Sequence, residues 1–162
     1  MKKYILAVIV GIFSMGAMAQ THDHAIGARL GGGNAFGAEF TYQMGLSDVN
    51  RLELDLGLTS HSNYNGFSMS GAYHWLFNIE GGFNWYVGPA ASIGSWSYKD
   101  SYNTTKDDGF YLGLGAQGGV EYNFDEIPLQ LSVDSRPQIP IGAAYNDFYF
   151  GIAFSARYTF GY

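Results

Sequence analysis

The chain has 162 residues, among them 23 glycines, 13 tyrosines, 12 phenylalanines and 3 tryptophans, with no cysteine and a formal net charge of -6. That length suits one ordinary domain, the missing cysteines exclude a disulfide framework, and the acidic balance excludes the basic stripe that a nucleic-acid partner requires. So many glycines and aromatics together are unusual for a water-soluble domain.

From the N-terminus, Lys2 and Lys3, an apolar run from Tyr4 to Phe13, and the small residues ending in Ala17-Met18-Ala19 read as a secretory signal peptide cleaved before Gln20. The apolar run is shorter than the roughly 18 residues needed for a spanning helix. Residues 1–19 are therefore expected to be a leader and 20–162 a single barrel domain. Removing the two leader lysines from the -6 leaves -8 on the mature chain.

After the leader, no segment has helical periodicity, and alternation of period two recurs eight times with turn residues between the runs. The first run, Ala25 to Gly33, sets Ile26, Ala28 and Leu30 against Gly27, Arg29 and Gly31. The second sets Phe36, Ala38, Phe40, Tyr42 and Met44 against Gly37, Glu39, Thr41 and Gln43. The third alternates Leu52, Leu54, Leu56 and Leu58 with Arg51, Glu53, Asp55 and Gly57. In the fourth, Phe67, Met69, Tyr73, Trp75 and Phe77 oppose Ser68, Ser70, Ala72 and His74. The fifth carries Phe83, Trp85, Val87 and Ile93 against Asn84, Tyr86, Gly88 and Ser92. In the sixth, Phe110, Leu112, Leu114, Val120 and Tyr122 oppose Tyr111, Gly113, Gly115, Gln117 and Glu121. The seventh is short, with Leu129, Leu131 and Val133 against Gln130, Ser132 and Asp134, and Arg136 continues its polar face. The last places Phe148, Phe150, Ile152, Phe154, Tyr158 and Phe160 against Ser155, Arg157 and Thr159.

None of the eight apolar faces contains a charge, Ser, Thr, Asn or Gln. An Arg or Lys facing lipid at the bilayer midplane costs a barrel about 2–4 kcal/mol, which accounts for that strictness. A soluble lipocalin-like barrel is the competing reading, but no strand carries a lysine, the usual protector of wet or edge strands. Glycines crowd the polar face, as a concave inner wall would need. The reading is thus all-β: an eight-stranded antiparallel up-and-down transmembrane β-barrel in the cell outer membrane. Three short turns, 45–50, 78–82 and 123–127, are expected on the periplasmic side. Opposite them lie a tight link at Asn34 and links at 61–66, 95–108 and 137–147. Aromatics gather at the strand ends, where interfacial girdles form.

Charges on the polar face nearly balance, Arg29, Arg51, Arg136 and Arg157 standing against Glu39, Glu53, Asp55, Glu121 and Asp134. Buried charges persist only when paired and hydrogen-bonded, so one ion-pair network filling the lumen is expected, its partners unassigned. An eight-stranded barrel is wide enough only for side chains, which makes an open pore for ordinary solutes improbable.

The final AFSARYTFGY resembles the C-terminal sorting signal of outer-membrane barrels. FNWYVGPAASIG at 83–94 and PLQLSVDSRP at 128–137 resemble stretches of small outer-membrane barrel proteins of the Bacteroidota. In architecture the chain is similar to outer membrane protein X and to the transmembrane domain of OmpA. That resemblance implies a porin-like, integral membrane location in a Gram-negative envelope, but this fold hosts structural, adhesive, conductive and enzymatic members alike.

Candidate chemistry is sparse. His61-Ser62 has the residue types of lipid A deacylases but not their spacing, so a polar loop is expected. His74 is expected to be a hydrogen-bonded lumen residue. His22-Asp23-His24 offers ligand types for zinc or copper, in one short terminal cluster that does not suit a tight site. The longest link mixes Tyr98 and Tyr102 with Lys99 and Lys106, and is the first candidate for an extracellular binding loop. The expected role is structural or surface-interacting (adhesion or binding through extracellular loops), without catalysis, metal or cofactor. Outer-membrane lipid and lipopolysaccharide are the expected partners of a monomer, with an extracellular ligand unknown. A narrow channel for ions or very small solutes is the alternative, and a lipid A-modifying enzyme a remote third.

Overall fold

A computed structural model describes residues 23–31, 37–60, 64–98, 109–141 and 150–161. The strands are β1 (His24–Gly31), β2 (Gly37–Ser47), β3 (Asn50–Ser60), β4 (Tyr64–Glu80), β5 (Phe83–Tyr98), β6 (Gly109–Asn123), β7 (Leu129–Ser135), β8 (Gln138–Ile141) and β9 (Ile152–Phe160). Each pairs antiparallel with its neighbours, and the β5–β6 and β1–β9 ladders close the sheet on itself. The leader expected at 1–19 lies outside the described residues.

Nine segments make eight barrel positions. β7 and β8 both pair with β6, Ser135 opposite Gly118 and Gln138 opposite Gly115, so the two share one register. The ladder lapses at Arg136-Pro137, where proline has no N–H to give, although Ala116 N still donates to Pro137 O at 3.2 Å. The expected seventh run is therefore longer than its alternation suggested, and the first part of the link anticipated at 137–147 is strand.

The strands also extend further at the periplasmic rim than the turn residues implied. β2 runs to Ser47 and β4 to Glu80, each through a register shift beside its turn. Only Asp48-Val49 and Gly81-Gly82 then separate those pairs, and Gly81 supplies the left-handed φ of 55° that the tighter turn demands. At the last strand the order is reversed: pairing starts at Ile152, and Phe150 and Gly151 are not strand.

Stepping across the ladders from Leu131 on β7, the partners are Ala156, Ala28, Phe40, Leu56, Met69, Ile93, Leu112 and finally Ile141 on β8, ten residues further along the same barrel position. With a rise of about 3.3 Å per residue and about 4.8 Å between strands, that stagger tilts the strands by roughly 40°. Every residue on this circuit is apolar and points outward. The exterior is where the leucines lie: Leu54, Leu56, Leu58, Val87, Leu114 and Val133 are all exposed, Leu58 at 73 %. The interior is where the charge lies, with Arg29, Arg51, Glu53, Asp55, Glu121, Asp134, Arg136 and Arg157 all buried.

Periplasmic ends of the outer face are paved with rings. Phe77 stacks on Trp85 at 4.3 Å, Phe83 tilts against Tyr122 at 4.5 Å, and Tyr158 lies beside Phe160 at 6.2 Å. His24 belongs to this girdle, 5.9 Å from Tyr42 and 5.3 Å from Phe160, with its Nδ1 hydrogen-bonded to the Tyr42 hydroxyl at 3.0 Å. It is thus a β1 residue rather than part of a loose metal-binding tail, and His22 lies outside the described residues. Among the described residues no cluster of three metal-ligating side chains occurs.

Candidate functional site

The lumen is the only place where the fold concentrates chemistry among the described residues. Strand alternation puts each charged side chain there, because every second residue of a strand faces inward. Arg29 on β1 is the upper anchor. Its guanidinium binds Asp134 of β7 at 2.6 Å through Nη2 and at 3.1 Å through Nε, and Glu39 of β2 at 2.8 Å through Nη1. Glu39 in turn lies 3.5 Å from Arg136. Arg136 crosses the barrel to Asp55 and Glu53 of β3, with the Glu53 contact at 3.5 Å.

Glu53 is the hub. Its two oxygens accept from Gln43 at 2.5 Å, Gln117 at 2.7 Å and Arg157 at 2.9 Å. Arg157 spends its remaining donors on Thr41 at 3.1 Å, Ser132 at 2.8 Å and Gln130 at 3.4 Å. A carboxylate so deep in the barrel is tolerable only with this many partners, since burying an unpaired charge costs several kcal/mol.

Nearer the periplasm stands a second unit. Arg51 pairs with Glu121 at 2.6 Å and its Nε donates to His74 Nδ1 at 3.2 Å, while its guanidinium carbon lies 4.5 Å from the centre of the Tyr86 ring. Because Nδ1 accepts, the His74 proton sits on Nε2. His74 and Tyr86 also pack together at 4.5 Å. No charge–charge contact among the described residues joins this pair to the Glu53 cluster. The two are connected by amides, Asn123 reaching Glu121 at 3.5 Å, Gln130 reaching Asn123 at 3.0 Å, and Arg157 reaching Gln130.

All nine charged residues anticipated for the lumen thus face inward, eight of them in full burial and Glu39 with its side chain 18 % exposed toward the extracellular mouth. They form two units rather than one. The sequence reasoning did not single out Gln43, Gln117, Gln130 and Thr41, uncharged residues that bridge the charges. Their signal was available in the same alternation, for each sits on the polar face of its strand. Of the suggested binding loop, Tyr98 ends β5, while Lys99, Tyr102 and Lys106 lie outside the described residues, as do His61 and Ser62.

Little space remains inside. A cavity of about 10 Å³ near the periplasmic end is bordered by Ala25, Gln43, Gly45, Arg51, Glu121, Asn123 and Gln130, room for about one water molecule. That cavity is too small for an ordinary solute.

Closed antiparallel walls, short turns on the rim where β1 starts and β9 ends, an apolar exterior and a charged interior define a transmembrane β-barrel. The chain matches no protein-family model and no curated protein sequence. Solved structures are similar in fold. The N-terminal β-barrel domain of Pseudomonas aeruginosa OprF superposes with a TM-score of 0.71 at 15 % identity, over 87 % of this chain and all of that domain (100 %). Neisserial surface protein A gives 0.63 at 17 % identity, over 85 % of this chain and 96 % of its own. Ail, the attachment invasion locus protein of Yersinia pestis, in complex with the heparin analogue sucrose octasulfate, gives 0.52 at 11 %, over 85 % and 96 %. The architecture is that of eight-stranded outer-membrane β-barrels, and with its apolar exterior the chain is an outer-membrane barrel.

Proposed function

We propose that this protein is a structural and surface-interacting component of the outer membrane, a sealed barrel that presents its extracellular end to ligands and catalyses nothing. The observation that carries this reading is the filled lumen. Four arginines and five carboxylates are paired across it, and the cavity beside Arg51 and Glu121 holds about one water, which points to the outer surface rather than the lumen as the working face. Buried His74 supports the same reading, because its Nδ1 is occupied by Arg51 and no nucleophile forms a bond with it among the described residues. The barrel is proposed to act as a monomer solvated by outer-membrane lipid and lipopolysaccharide, of the Bacteroidota type that its sequence resembles.

The link carrying Tyr98, Lys99, Tyr102 and Lys106 is the proposed contact region, together with the link after Ile141. Ail, solved in complex with a heparin analogue, offers a parallel for ligand capture by a barrel of this fold. The present chain differs in having only two lysines beyond its leader, which disfavours a polyanionic ligand. Replacing both links with short Gly/Ser turns tests the proposal: binding of whole cells or purified barrel to host or neighbouring-cell surfaces should fall, and unchanged binding rejects it.

A narrow channel remains the second reading, supported by the hydrogen-bonded polar chain that runs from Asn123 through Gln130, Arg157 and Glu53 to Arg136. Planar-bilayer recordings separate the two. The sealed-scaffold reading expects no reproducible unitary openings from wild type, and openings abolished by a bulky residue at Gly113 or Gly115 would favour the channel.

A further inference from the structure

Above the charged layers, the inner wall of β5 and β6 is paved by two aromatic rings. Trp96 and Tyr111 both face the mouth of the barrel, Trp96 opposite Gly109 and Tyr111 opposite Gly94. A side chain at Gly109 would run into the Trp96 indole, and one at Gly94 into the Tyr111 ring. The glycines therefore let both rings lie flat along the wall, each covering its partner glycine. The rings are 6.3 Å apart and only 27° from parallel, and both stay partly exposed. On the adjoining strand Trp96 is opposite Gly66, which has no side chain to set against the indole. Ser68 and Glu39 converge on Gly57 in the same mouth, offering a hydroxyl and the one partly exposed lumen carboxylate.

We propose that this pavement is a binding platform for an uncharged saccharide, whose C–H face stacks on Trp96 and Tyr111 while Ser68 and Glu39 meet its hydroxyls. The inference rests on the surface-interaction reading and names the ligand class for it. The layout selects the ligand: a quaternary ammonium is held by rings that box it in, whereas two nearly parallel rings laid along one wall suit the broad face of a pyranose. Charge selects it further, since the acidic chain repels nucleic acid and sulfated or phosphorylated glycans.

The double substitution Trp75→Phe/Trp85→Phe leaves Trp96 as the sole tryptophan and removes only lipid-facing girdle rings. Refolded in detergent, with its folded state checked by heat-modifiable gel migration, this protein is titrated with maltoheptaose, cellopentaose, chitotetraose, delipidated lipopolysaccharide core and choline. A saturable change in Trp96 emission with at least one neutral oligosaccharide is expected, weakened about tenfold or more, some 1.4 kcal/mol, by Tyr111→Ala. A response to the anionic core alone, with none to the neutral oligosaccharides, would overturn the proposal. Flat titrations with every saccharide on a folded barrel, an undiminished response in Tyr111→Ala, or saturation by choline instead would overturn the proposal. Flat titrations beside cell-surface binding that depends on the links would overturn the platform and leave the broader reading standing.

Discussion

Glu53 shows most directly how a single residue ties sequence to stability. It accepts hydrogen bonds from two amides and lies against two arginines without exposure to water. Replacing it with Gln keeps the shape but leaves Arg157 and Arg136 short of countercharge. Removing one partner of a buried pair typically costs about 3–5 kcal/mol, so Glu53→Gln should lower the urea-unfolding free energy in lipid vesicles by that order. Glu126→Gln, in an exposed turn, should stay within about 0.5 kcal/mol of wild type. Equal behaviour of the two variants would mean that the lumen network contributes no stability. Outside, the rule reverses. Leu54 is exposed near mid-height of β3, and Leu54→Arg is expected to cost about 2–4 kcal/mol in a bilayer, while Leu54→Ile at the same site should be nearly silent. If the arginine were harmless there, that wall would not face hydrocarbon.

At the scale of the strand, two adjacent glycines on β6 have opposite roles. Gly119 faces inward, and a β-carbon on it would collide with the Val133 carbonyl and the Asp134 backbone. Gly118 faces outward, where the nearest atoms to such a carbon are at 3.4 Å and 3.6 Å. Gly119→Ala is therefore expected to destabilise by about 1–3 kcal/mol, the usual cost of overpacking, with Gly118→Ala near wild type. Heat-modifiable migration and urea titration of the pair read this directly, and the reverse order would mean that the register is wrong. Sequence alternation made the strands and their faces legible, since exclusion of every polar residue from one face left no freedom in register. It did not reveal how far β2 and β4 run past their last clear outward ring, because turn-forming residues such as Gly45 and Asn78 are tolerated inside bulged strand ends. It also ended the seventh run at Arg136, because a proline in a strand reads as a stop. Here Pro137 keeps its place by accepting from Ala116 without donating. Partners within the lumen stayed illegible for another reason: pairing across a barrel depends on the stagger, and a one-residue change in any ladder would bring different charges together.

At the scale of the whole molecule, the closed circuit that climbs ten residues from Leu131 to Ile141 bears on how the protein comes apart. An open sheet can fray strand by strand from its margin, whereas here the first and last strands grip each other along eight paired positions from His24↔Phe160 to Gly31↔Ala153. Lifting away any strand but β8, which pairs with β6 alone among the described residues, tears two ladders simultaneously and lets lipid or water reach the arginines. Loss of structure is expected to be all-or-none, with tryptophan emission and circular dichroism reporting a single coincident denaturant midpoint. Separate midpoints for the two signals would point to a barrel that opens in stages. Among the described residues, only the four-residue β8 has a side without a partner strand, so the wall offers almost no free strand for another chain to extend. The same closure that seals the lumen thereby keeps neighbouring copies from adding onto one another in a crowded membrane.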